Sequence, residues 1–214
     1  MRIYYIYIIM TAFLISFASC LSNKKKDCIG HLRYAQSVYN KHLLNNDTSK
    51  KDLLNILVQT NSALECPSTR IGAVELKISI LLNLKYYKRG YDFVNSLNIY
   101  DFKYSYKKQM WRSFFKAKSY EKKGDYLNQK INFHKAANSV KNYIKSNNIA
   151  PDNNGEDIYY DFYELKSKIS SKEEVITELK KLKNTYPSNA QFIDALIQTI
   201  IYKGDKSTTA TQNE

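Results

Sequence analysis

The groups in this chain that could do covalent, metal or acid–base chemistry are few: 3 cysteines, 3 histidines and 20 acids in 214 residues. The histidines are His31, His42 and His134. His31 and His42 lie about three helical turns apart, too far to share one ion directly. No second histidine or acid falls at ligand spacing on the same face of either. His134 directly follows Phe133 and reads as a surface or interface residue. The acid pairs Glu156-Asp157 and Glu173-Glu174 sit where helices should begin, and the helix dipole accounts for them. No G-x-S-x-G, H-E-x-x-H, phosphate-loop or dinucleotide fingerprint occurs. No catalytic residue, metal ligand, cofactor or small-molecule substrate is therefore expected, and an enzyme is not. What remains is thiol chemistry at Cys20, Cys28 and Cys66.

Cys20 follows Phe17-Ala18-Ser19 and closes an apolar run from Ile3 to Phe17, preceded by Met1 and Arg2. The run is about 15 residues long, short of the roughly 20 that a membrane-spanning helix needs. A signal-peptide core is the better reading. The segment resembles the lipobox of bacterial lipoproteins, with Phe17 where leucine is commonest. The resemblance covers residues 1–20. It implies cleavage before Cys20, diacylglycerol on its thiol, an acyl chain on the new amino terminus, and membrane anchoring through these chains. An ordinary cleaved signal and an uncleaved anchor are the alternatives. The uncleaved form is disfavoured because Lys24, Lys25 and Lys26 follow the apolar run.

Taking Cys20 out of the count leaves Cys28 and Cys66 as a pair, and two cysteines in an exported protein suggest a disulfide. Cys28 begins an amphipathic stretch ending near Asn45, and a second stretch runs from about Ser49 to Cys66. Folded as an antiparallel hairpin about Asn45-Asn46-Asp47, the two thiols meet, since position 47 is their midpoint. Such a bridge would close a loop of roughly 39 residues and add about 3–4 kcal/mol. Two buried free thiols are the alternative.

The elements that must hold these residues are helices. The chain is 43% hydrophobic and 25% charged, enough to bury a core in one domain of ordinary size. Only 3 prolines and 6 glycines argue against an all-β fold rich in tight turns. Ser49-Lys50-Lys51-Asp52 and Ser171-Lys172-Glu173-Glu174 are helix-start signals, and Ser188-Asn189-Ala190-Gln191 reads as a third. Leu53, Leu54, Leu57 and Val58 recur at helical spacing, as do Tyr106, Met110, Phe114 and Ala117. Gly90 and Gly124 read as breaks, and residues 147–155 as the long loop. The net charge of +13 comes from scattered lysine pairs such as Lys107-Lys108, Lys122-Lys123 and Lys180-Lys181, read as solvated helix faces. Nucleic acid is not an expected partner. Anionic headgroups or an acidic protein face suit the charge better.

Gly90 and Gly124 are 34 residues apart, and so are Ser170 and Gly204, which read as two further breaks. The stretch Met110 to Tyr143 resembles a tetratricopeptide repeat in Ala117, Tyr120, Gly124-Asp125-Tyr126, Phe133 and Ala136, and departs from it at Lys116 and Gln129. Tyr159 to Pro187 matches more loosely through Phe162, Val175, Leu179 and Tyr186-Pro187. The resemblance implies an all-α fold, a right-handed α-α superhelix of stacked helix pairs. Residues 1–19 then form the signal peptide, 20–27 a lipidated tether, 28–204 the helical-repeat domain and 205–214 a disordered tail. An irregular helical bundle is the alternative. In such stacks the first helix of each pair lines a concave groove. Trp111, Arg112, Tyr160 and Tyr163 are the candidate partner-binding residues there, because aromatic side chains and arginine are favoured contact residues. The functional expectation is a lipid-anchored adaptor or assembly factor of the bacterial cell envelope, facing the periplasm from the outer membrane and binding another envelope protein or a peptide. The alternative is an envelope immunity or defence protein that binds one specific toxin.

Overall fold

The computed structural model describes residues 27–45, 49–152 and 154–209, and every regular element among them is helical. The helices are α1 (Cys28–Asn45), α2 (Lys50–Ala63), α3 (Pro67–Asn83), α4 (Tyr87–Ser96), α5 (Tyr106–Glu121), α6 (Tyr126–Ser146), α7 (Glu156–Lys166), α8 (Lys172–Thr185) and α9 (Ala190–Thr209). Short 3-10 turns occupy Ile99–Asp101 and Pro187–Asn189. The described residues contain no strand, and none of their helices is long and apolar enough to cross a membrane. The described residues fall into two compact units, divided between Ala73 and Val74. Cys20 and the Asn46-Asp47 turn lie outside the described residues.

In the first unit, α1 and α2 pack as a hairpin. Ser49 caps α2: its hydroxyl oxygen accepts from the Asp52 amide, and the Asp52 carboxylate accepts from the Ser49 amide. Leu53, Ile56, Leu57, Thr60 and Ala63 form the buried stripe of α2, while Val58 is exposed. Cys28, at the first residue of α1, is disulfide-bonded to Cys66 with Cα atoms 6.2 Å apart. Pro67 follows directly as the first residue of α3, where its missing N–H costs nothing. The Thr69 hydroxyl donates to the Ala63 carbonyl at 2.6 Å, satisfying an acceptor left over at the end of α2.

In the second unit, consecutive helices are neighbours: α4 with α5, α5 with α6, α6 with α7, and α8 with α9. Ala117, Phe133, Ala136 and Val140 make the interior of the α5–α6 pair, each 2% exposed or less. Alanine on both sides lets the two backbones approach, and Phe114 fits edge-on against Phe133 at 5.5 Å. Gly124 holds φ +71° in the turn between these helices, a conformation that favours glycine. Asp125 then caps α6 by accepting from the Asn128 amide at 3.0 Å. A second cluster joins Tyr159 and Tyr163 of α7 to Val175 and Leu179 of α8 and to Ile193, Leu196 and Ile200 of α9. Ser171 and Glu174 form the capping box that starts α8.

Three expected punctuation marks fall differently. Gly90 is not a break; it lies inside α4, buried, and a Cβ there would stand 2.1 Å from Phe115 Cε1. Its smallness admits the Phe115 ring. The real break between α3 and α4 is at Lys85, at φ 55°, with the Tyr86 amide donating back to the Leu81 carbonyl. Nor is Gly204 a break, since α9 continues through it to Thr209. Ser188 does not cap α9: its hydroxyl donates to Asn189 Oδ1 within the turn that Pro187 opens. Helix starts at Pro67, Tyr106 and Glu156 are unequally spaced, so the 34-residue interval is not the spacing of these starts.

Replacing Cys28 and Cys66 by serine should cost about 3–4 kcal/mol, read by denaturant unfolding of parent and variant. Gly90→Ala should destabilise by about 1–3 kcal/mol through overpacking on Phe115, measured the same way. A Gly90→Ala variant as stable as the parent would show that the Phe115 ring is not held tightly at the α4–α5 contact.

Candidate interaction site on helices α3, α5 and α7

Helical spacing gathers the site. Met110, Trp111 and Phe114 lie on one side of α5, and Asp161, Glu164 and Leu165 sit three and four positions apart on α7. With Leu82 of α3 they line a cavity of about 120 Å³. That is room for about four waters, or one long side chain. The walls are apolar and two carboxyl groups belong to the lining.

Trp111 is half-buried and held by Phe114, edge-on at 5.5 Å, and by Phe115 at 6.4 Å. Its indole Nε1 is buried, and no acceptor among the described residues is within reach. A buried donor left unpaired costs about 1–3 kcal/mol, which an incoming acceptor would recover.

Asp161 is tied to α5 by Tyr106, whose hydroxyl donates to Asp161 Oδ2 at 2.7 Å. Tyr106 is itself clamped between Tyr104, stacked at 5.8 Å, and Tyr143 at 4.9 Å. Burial pushes the Asp161 carboxyl above the usual range, opposed by the Lys107 charge and the Tyr106 hydrogen bond. Burial, with the Asp161 charge beside it, also raises the Tyr106 hydroxyl, which stays neutral as a donor. Lys107 points its ammonium to Glu75 at 3.2 Å. Farther along the same two helices, Lys103 pairs with Asp157 at 2.8 Å in the open. That hydrogen bond lowers the Asp157 pKa and raises that of Lys103.

The four sequence-nominated contact residues separate. Trp111 lines the cavity. Arg112, next to it on α5, turns to the Tyr91 ring, with the guanidinium carbon 6.0 Å from the ring centre. Tyr160 is 37% exposed on α7. Tyr163 is 5% exposed and lies in the core, packed in the Val175, Leu179 and Ile193 cluster. Burial raises its hydroxyl pKa. Asp161, Glu164 and Leu82 escaped the sequence reading. The Asp161–Glu164–Leu165 spacing was visible, but not that it would face Trp111.

Among the described residues, no three His, Cys, Asp or Glu side chains come together so as to hold a metal ion. No protein-family model matches the chain, and comparisons with curated proteins and with solved structures return no match.

The raised Asp161 pKa has a definite sign. Its folded value exceeds the unfolded 3.8, so the native state binds the extra proton. The stability contribution is full below the unfolded value and is lost as pH rises through the folded one. Asp161→Asn removes that component. Its stability relative to the parent should rise between about pH 4 and about pH 7, measured by urea unfolding at both. A difference that does not change with pH would remove Asp161 as a buried charge.

Proposed function

We propose that this chain is a lipid-anchored protein of the bacterial cell envelope that binds another envelope protein or peptide through the Trp111 cavity. The observation carrying this reading is the cavity itself: apolar walls, a buried indole donor without an acceptor, and the carboxyl groups of Asp161 and Glu164. That set suits a lysine or arginine side chain inserted from an extended segment, the stem against Leu82, Met110 and Phe114, the cation near the acids. A cation would also offset the cost of the buried Asp161 charge. The indole would donate to a carbonyl of the incoming backbone.

The architecture we propose for residues 106–203 is a tetratricopeptide-like stack. In its support stand the consecutive neighbouring helices, the buried Ala117 and Ala136 at the α5–α6 approach and the left-handed Gly124. Cys20 as the lipid attachment point rests on the Phe17-Ala18-Ser19-Cys20 segment. Anchoring would raise the local concentration of the cavity at the membrane where its partner works.

Crosslinking in intact envelopes followed by purification tests the binding reading. The same protein should be recovered with the parent and lost with Trp111→Ala and with Glu164→Lys, each checked for native helicity. Recovery unchanged by both variants would overturn the cavity as the binding site. Mass spectrometry of the amino terminus tests the anchor: Cys20 found unmodified in membrane fractions would sink it.

A further inference from the structure

A second feature lies at one end of the α3–α6 helices and takes no part in the Trp111 cavity. The turn after α3 and the turn after α5 stand side by side, so that Lys85, Lys88, Arg89 and Lys122 line one depression together. Lys118 and Glu121 border it, paired with each other. On the α4–α5 side, Lys116 and Lys123 line an adjoining groove with Tyr87, Tyr91 and Tyr120. Glu121 is the one acid lining these three depressions. Lys88 has Asp92 beside it at 2.7 Å, but that pair is open to solvent and screened. Among the described residues no carboxylate forms an ion pair with Lys85, Arg89, Lys116 or Lys122, and Lys123 acts on the Asp125 carboxylate through its charge alone.

The tyrosines hold these cations up. Arg89 lies over Tyr86 at 5.2 Å, Lys116 over Tyr91 at 5.1 Å, and Lys118 and Lys123 over Tyr87 and Tyr120, both at 5.9 Å. The Arg112 hydrogen bond, together with Lys116, holds the Tyr91 hydroxyl below the usual phenol range, as a positive field does. A nucleic acid that used this surface would need open aromatic faces for its bases. Here each of those rings already carries its own cation.

Two further observations point outward from the same end. Tyr126 and Leu127 open α6 immediately beyond Lys122 and Lys123, and they are 75% and 73% exposed. Between them and the lysines, the Asp125 carboxylate is occupied by the Asn128 amide and side chain. Lys85 keeps a left-handed backbone, φ 55°, where the equivalent turn after α5 uses Gly124. A lysine in that conformation is disfavoured over glycine, and it persists at a position lining two of the depressions.

We propose that this end of the α3–α6 helices docks on an anionic lipid bilayer, with Lys85, Lys88, Arg89, Lys122 and Lys123 on headgroup phosphates and Tyr126 and Leu127 in the interfacial zone. Basic residues flanking an exposed aromatic and aliphatic pair is the chemistry such surfaces take. The contact needs no acyl chain. It would set the orientation of the helices on the membrane, which a lipid on Cys20 alone leaves free.

Sedimentation with vesicles tests this, using the full chain with Cys20→Ser in every form so that no acyl chain contributes. Phosphatidylcholine vesicles containing phosphatidylglycerol should bind the protein more tightly than phosphatidylcholine alone, and high salt should abolish the difference. Lys85→Gly combined with Lys122→Glu and Lys123→Glu should weaken binding to the anionic vesicles by at least about tenfold. Tyr126→Ser with Leu127→Ser should also weaken it. Lys180→Glu with Lys181→Glu, exposed on α8, should change it by less than about twofold. Lys85→Gly alone, which relieves the backbone and so keeps the fold, should lower binding measurably. Equal losses from the α8 control and the turn variants would overturn the proposal. So would binding of a single-stranded oligonucleotide that depends on Lys122 and Lys123 while anionic vesicles are not bound. Neither result bears on the Trp111 cavity, whose residues are untouched.

Discussion

Helix α5 must be approached closely from two sides at once, and the second unit of the protein is arranged to permit it. On one side Gly90 of α4 leaves the space that Phe115 fills. On the other, Ala117 meets Phe133 and Ala136 of α6. Interiors are close-packed, so a methyl group added at such a contact has to displace something. The small residues bring backbones together, and the large ones, Phe114, Phe115 and Phe133, fill what remains. Burying a phenylalanine contributes roughly 1.5–3 kcal/mol by area, and these contacts supply it on both sides of one helix.

Because α5 is fixed from both sides, the side chains on its remaining surface are fixed too. Trp111 follows Met110 on the stripe that faces α7, where Tyr106 binds Asp161. The indole is braced by the same two phenylalanines that pack α5 against its neighbours. The cavity beside it is therefore a consequence of core packing, held without its own dedicated loop. Likewise the end of α5 lies next to the turn before α4 because Gly90 and Phe115 bring the two helices together. The packing that forms the core thus also forms the Trp111 cavity and the basic end.

Local rules were readable from the chain. The capping boxes at Ser49–Asp52 and Ser171–Glu174 need only four consecutive residues, and Gly124-Asp125 carries its own turn chemistry. The pairing of Cys28 with Cys66 followed from the symmetry of a two-helix hairpin about its turn. Gly90 was opaque because glycine inside a helix has two opposite meanings, a break or a contact. Which one applies depends on Phe115, in the next helix. Tyr160 and Tyr163 lie on one short helix, yet one is partly open and the other buried, since only the neighbours of α7 distinguish its faces. The basic end looks in sequence like scattered lysine pairs. Lys85 lies in the turn before α4, Lys88 and Arg89 at the start of α4, and Lys122 and Lys123 in the turn after α5.

The sequence alone, then, determined that the described chain is helical, where most helices start, that Cys28 and Cys66 could pair, and that Trp111 was worth attention. These depend on hydrogen bonds, dihedral preferences and periodicity within a few tens of residues. Only the tertiary structure decided that Trp111 shares a cavity with Asp161 and Glu164, that Tyr163 is core, and that lysines from two turns make one surface. The reason is physical. Helical periodicity states which residues share a face of one helix, but not which helix that face will meet. That is settled by which pairs of helices can pack without voids or clashes, and here glycine and alanine at the α4–α5 and α5–α6 contacts settled it.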